Sequence, residues 1–192
     1  MPTELKMFYP KDRKAWRRWL QKYHKKEPGV WLIYYKKNSG KSHVSCDDAV
    51  EEALCFGWID SIMKPIDEEK YMQKFTPRKV KSGWSALNKR RVEQMIEQNF
   101  MTPAGMAIID LGKQNGSWSK LDDVENSVIP PDLARVFAKN KKVLKYFEGL
   151  AKFSRKQWLY RLTNAKRPET RAKRLKEIID ATKKDALRTK RF

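Results

Sequence analysis

Apolar residues recur at Trp16, Trp19, Leu20 and Tyr23. This is the i, i+3, i+4, i+7 stripe of a helix with one buried face, and it predicts a helix over residues 11–25. Pro28 and Gly29 end it. The next stretch, VWLIYY at positions 30–35, breaks the helical period. It is apolar on both faces and rich in β formers, which predicts a central strand. Asn38-Ser39-Gly40 turns the chain. Ser45 followed by Asp48 is a helix-start signal. Cys46, Ala49, Val50, Ala53 and Leu54 supply the apolar side of the helix that follows, and Gly57 is placed to end it. Residues 58–66 and 71–76 read as two strands around a turn at Asp67-Glu68.

Beyond this point the pattern is helical. Ser82 is positioned to cap a helix over residues 84–98, and Thr102-Pro103 is a cap followed by proline at the first helical position, opening a helix to about residue 113. Residues 115–131 carry few periodic signals. Helices are then predicted over 132–138, 141–149, 154–164 and 168–183. The expected fold class is α+β: a small, mainly antiparallel sheet with packed helices, followed by an all-helical region. The expected division is an α+β domain over 1–118, a linker over 119–129, a helical region over 130–184 and a basic tail over 185–192.

Charge changes this picture. The 192 residues include 43 Lys and Arg against 23 Asp and Glu, a net charge of +20. Such a surplus attracts polyanions and says nothing about the fold. A chain of this size buries about 70% of its unfolded surface and needs no staple. The cysteines are Cys46 and Cys55, nine positions apart and so about 180° apart on a helix, which forbids their pairing. There is no Cys-x-x-Cys, and His24 and His43 are the only imidazoles. Neither a metal site nor a cofactor is expected. The first sixteen residues contain no apolar signal core and no stretch is long enough to span a membrane, so a reducing cytoplasm is the expected location.

The surplus is concentrated. Lys70, Lys74, Arg78, Lys79, Lys81, Lys89, Arg90 and Arg91 give +8 over residues 70–91, with no acid among them. Cations beside the unpartnered N–H groups of a helix start are what phosphate contacts need. The first seven are the candidate polyanion-binding residues; the plainer alternative is a solvated loop beside a core tryptophan. Asn88 and Arg91 interrupt the apolar stripe of Trp84, Leu87, Val92 and Met95. A guanidinium placed there needs an acid or water, and Asp60 is the expected partner of Arg91 or Arg78. Trp58, Asp60, Arg78, Trp84, Asn88 and Arg91 therefore form a candidate pocket for a small anionic or polar ligand, or a structural network. A second basic concentration, +7 over residues 166–191, reads as a packing hairpin or a helix-turn-helix.

Catalytic templates do not fit. Cys55 falls at a helix C-terminus, where the dipole opposes a thiolate. Asn38 to Ser42 reads NSGKS and lacks the earlier glycine of a phosphate loop. No catalytic residue is assigned.

Four segments occur in order: ALCFGWIDS at 53–61, FTPRKVKSGWSALN at 75–88, MTPAG at 101–105 and NAKRPETRAKR at 164–174. Through these the chain resembles the YdeI/OmpD-associated, or bacteriocin-protection, family. The N-terminal part also resembles the small α+β YjbR/CyaY-like superfamily, which implies such a fold for residues 1–118 and, among its YjbR-like members, DNA binding. The acidic ridge of the frataxin-like branch is missing. The resemblance implies a link to bacteriocin tolerance or envelope stress and carries over no catalytic residue, cofactor or substrate. The reading is a cytoplasmic, non-enzymatic binder of a polyanion such as nucleic acid. The alternatives are a small-molecule-binding protein or enzyme that uses a polar and aromatic pocket around Asp60 and Trp84, and a module that binds an acidic protein.

Overall fold

The computed structural model describes residues 4–188. The chain divides into two compact units at Ser119/Lys120. The first unit is α+β, with strands β1 (Met7–Phe8), β2 (Val30–Tyr35), β3 (Trp58–Pro65) and β4 (Lys70–Pro77). Its helices are α1 (Arg13–Tyr23), α2 (Cys46–Cys55), α3 (Ala86–Glu97) and α4 (Pro103–Gln114). The four strands form one sheet in the order β1-β2-β4-β3. β4 pairs antiparallel with both β2 and β3, while the two-residue β1 runs parallel to β2. The sheet is mainly antiparallel, as the pattern predicts; β1 is too short to leave a periodic signal.

Helix ends follow local chemistry. Asp12 caps α1 by accepting from the Ala15 N–H at 2.7 Å. Ser45 caps α2 through the Asp48 N–H at 3.0 Å. After α2, Gly57 adopts φ +74°, a left-handed conformation that stops the helix. α3 corrects one expectation. Its cap is Ser85, not Ser82, and the helix begins at Ala86, so Trp84 precedes it rather than opening it. Two serines three positions apart satisfy the same sequence rule, and the turn after β4 decides between them.

The family-like segments ALCFG and MTPAG meet in space. The Thr102 hydroxyl donates to the Cys55 carbonyl at 2.6 Å while capping α4, so the cap of one helix satisfies the end of another. A Cβ at Gly105 would lie 2.4 Å from that carbonyl oxygen, so the close approach of α4 to α2 requires glycine there.

The helices cover one face of the sheet. Trp16, Leu20, Ala49, Ala53, Leu54, Val92, Met95 and Ile109 share a core with Val30, Leu32, Tyr34 and Phe75 of the strands. α1 and α2 are tied by charge. Buried Glu52 accepts from Arg13 Nε at 2.7 Å and Arg17 Nη1 at 2.6 Å, and Arg13 also reaches Asp48 and Glu51.

The second unit contains α5 (Asp122–Glu125), α6 (Pro131–Ala138), α7 (Lys141–Gly149), α8 (Lys152–Thr163) and α9 (Pro168–Arg188). Its own core joins Leu133, Phe137, Val143, Phe147, Leu159, Leu162 and Ile178. A bidentate Arg171–Asp132 pair, 2.5 and 3.0 Å, links α9 to α6. α9 continues through Arg188, so residues 185–188 of the expected tail are helical; residues 189–192 of that tail lie outside the described residues.

Candidate nucleic-acid interface

A strand has two faces because successive side chains alternate. In β2 the alternation is strict: Val30, Leu32 and Tyr34 are buried, whereas Trp31, Ile33 and Tyr35 are half-buried. β2 lies inside the sheet, as its pattern predicts, but its two apolar faces are not equally covered. Cross-strand register extends the second face. Trp31 lies opposite Lys74, Ile33 opposite Met72 and Tyr35 opposite Lys70. Lys64 on β3 lies opposite Met72, and Met7 on β1 lies beside Trp31. Trp31, Ile33, Tyr35, Met72 and Met7 belong to neither core cluster and do not pack against one. Every position of VWLIYY is apolar, so composition hides this asymmetry.

Lysines lie over the rings of the open face. Lys64 Nζ is 5.3 Å from the Trp31 ring centroid. Lys41 and Lys70 lie 4.6 and 5.9 Å from that of Tyr35, which also meets Tyr9 edge-on. Lys41 and Lys70 pair with Glu69 and Asp67 at the hairpin end. Lys64 and Lys74 have no acidic partner among the described residues. The face is thus apolar and aromatic in the middle, cationic above it, and neutralised only at one end.

The seven predicted polyanion-binding residues separate into different environments. Lys70 and Lys74 stand on the open sheet face. Lys79 and Lys81 are exposed in the loop after β4, and Arg90 is exposed on α3. Lys89 lies 5.3 Å over the Trp118 ring. Arg78 is only 6% exposed. Its guanidinium lies 3.7 Å over the Trp84 ring and donates to the Gly83 carbonyl at 2.6 Å. Burial lowers its pKa to about 10, with Asp60 opposing the shift. Arg78 is therefore a buried element of the loop rather than a surface cation.

The candidate pocket is partly brought together. Trp84 is buried, as expected. Asp60 accepts from Gln73 Nε2 at 2.8 Å, and Gln73 Oε1 accepts from the Tyr34 hydroxyl at 3.1 Å. Burial raises the Asp60 pKa, while backbone hydrogen bonding, the charges of Arg91 and Arg78, and the Gln73 amide hold it back. The expected Asp60 ion pair is absent. Arg91 instead pairs with Asp47 at the start of α2 and donates to Asn88 Oδ1 at 3.2 Å. Trp58 stands apart: its indole N–H donates to the His24 carbonyl at 3.1 Å and its ring meets Trp19 edge-on. Gln73, Tyr34 and Asp47, which the pattern did not single out, complete the network. Register could have found Gln73, since it faces Leu32 across the sheet.

These features define an α+β protein with a helical C-terminal unit and a sheet face left open beneath lysine side chains. The chain belongs to the family described as "Domain of unknown function (DUF8412)", whose model matches residues 8–108. The family described as "Bacteriocin-protection, YdeI or OmpD-Associated" matches residues 126–191. The N-terminal match gives no support to a YjbR/CyaY-like resemblance. No curated protein and no solved structure matches the chain.

Proposed function

We propose that this is a non-enzymatic polyanion-binding protein of the bacteriocin-protection kind, with nucleic acid as its partner in a reducing cytoplasm. The observation that carries the reading is the surplus of +20, displayed at Lys64, Lys74, Lys79, Lys81 and Arg90 without acidic partners among the described residues. A polyanion neutralises such a surface and releases counterions, giving affinity that falls with salt and depends little on base sequence. The two free thiols suit a reducing compartment, and the match over residues 126–191 supports the bacteriocin-protection setting.

The test is a titration of labelled duplex DNA, single-stranded DNA and RNA over a salt series. Linear log–log slopes are expected, about −0.9 per duplex phosphate contacted and about −0.7 per single-strand phosphate. Absence of binding at low salt overturns the reading.

One observation favours a small-ligand site as the second reading. Arg78 Nε is buried without a hydrogen-bond partner, near enough to Asp60 for their charges to interact. A thermal-shift screen of small carboxylates and phosphates tests it; a shift lost in Arg78→Met supports a ligand there, and no shift with any compound removes it.

A further inference from the structure

We infer that single-stranded nucleic acid lies across the open face of the sheet, with bases stacked on Trp31 and Tyr35 and the backbone held by Lys64, Lys70 and Lys74. This rests on the polyanion reading and assigns it a place and a ligand class.

The two rings project from one face of one strand, four positions apart, which separates them by about 13 Å. That spacing suits two separately stacked bases. Sequence-tolerant binding of single strands needs aromatic platforms beside a cationic track. Lys74 stands across the strand pair from Trp31, and Lys70 across from Tyr35. Lys64 reaches over the Trp31 ring from the far strand. Each ring therefore has cations beside or above it, positioned for the phosphates flanking a stacked base.

The geometry disfavours a duplex. Paired bases are stacked on one another, so their faces are closed to a flat sheet, and the major groove admits a helix or a narrow ribbon rather than a four-stranded surface. Charge complementarity selects a polyanion over an apolar partner. The ammonium groups over the rings sit on flexible four-carbon stems, so they can swing aside and let a base stack on the ring below. The acids at the hairpin end, Asp67 and Glu69, pair with Lys70 and Lys41. They orient the strand, making the Lys64–Lys74 end the one that holds phosphate most tightly.

The experiment uses the full chain with fluorescein-labelled oligothymidylate, oligouridylate and a mixed-sequence duplex, beside phosphatidylglycerol vesicles. Trp31→Ala is expected to weaken single-strand binding about tenfold or more and to leave the duplex nearly unaffected, with Trp31→Phe restoring most of the loss. Lys64→Ala with Lys74→Ala should reduce the single-strand salt slope by about 1.4, a readout that a loss of packing does not reproduce. Wild-type binding that survives both sets of changes overturns the sheet-face site and leaves the polyanion reading standing elsewhere on the surface. Vesicle binding that depends on Trp31, with oligonucleotide binding indifferent to it, also overturns the inference in favour of a lipid surface. Wild-type protein that binds no oligonucleotide overturns both readings.

Discussion

The two faces of the sheet are built from alternate residues of the same strands, yet they solve opposite problems. One face places Val30, Leu32, Tyr34 and Phe75 under a layer of helices, with each side chain buried. The other places Trp31, Ile33 and Tyr35 outside that core, half-buried, with lysines over the Trp31 and Tyr35 rings and Tyr9 edge-on to Tyr35. Apolar content alone therefore does not distinguish core from surface here. What differs is the neighbour. Helices α1 and α2 are held over the first face by aliphatic and aromatic packing and by the Arg13–Glu52–Arg17 clamp. The second face receives flexible cations that cover apolar surface while their charged ends stay in water.

The largest effect should come from Phe75→Ala, which opens a cavity in the covered face and should cost about 3–5 kcal/mol in urea unfolding. Trp31→Ala removes a larger ring from the opposite face and should cost about 1 kcal/mol or less, since it leaves no enclosed void. Equal losses at the two positions would mean that the open face is packed in solution.

The clamp tests what holds the helices in place. Glu52 has a side chain only 1% exposed and receives both guanidinium groups. Replacing Arg13 and Arg17 together by Ala leaves that carboxylate buried without a cation and should destabilise by about 3–4 kcal/mol. Replacing Glu52 with the two arginines, by uncharged residues of similar volume, should recover much of the loss. If the double arginine variant melts like the wild type, the clamp contributes nothing.

A smaller effect is expected at the polar edge of the covered face. Burial holds the Asp60 pKa above the ordinary 3.8, so the folded state takes up this proton more readily than the unfolded chain. Its contribution to stability is complete below pH 3.8 and is lost as pH rises through the raised value. Asp60→Asn should remove that decline, leaving stability flatter with pH above about 4 than in the wild type. An unchanged stability–pH curve would show that Asp60 titrates as if exposed. The smallest effect expected is none: with both thiols unpaired, and no group of three candidate metal ligands among the described residues, chelator and reductant should leave Tm where it is. A fall of several degrees with either would be the contrary result.

Periodicity served best where one rule governed the local structure. The stripe of Trp16, Trp19, Leu20 and Tyr23 marked α1, and Thr102-Pro103 marked the start of α4, because a helix end and its face are set by neighbours in the chain. The mainly antiparallel sheet and the helical region after it were legible for the same reason. The cap of α3 was not, since Ser82 and Ser85 offer equivalent chemistry and only the path of the loop around buried Arg78 and Trp84 favours the second. The partner of Arg91 was equally hidden. Its acid, Asp47, lies 44 positions away at the opening of another helix, and no spacing rule joins the two.

By itself the sequence determined the element types, the places of most helix boundaries, the cationic surplus and the concentration of that surplus between Lys70 and Arg91. These are properties of single residues and of their near neighbours. Only the tertiary structure decided which cations face solvent, that Arg78 is buried on Trp84, and that alternate residues of VWLIYY stay half-buried outside the core. The reason is that exposure depends on what packs against a residue. Four helices can cover one side of a four-stranded sheet, and no local pattern in an all-apolar strand records which side they take.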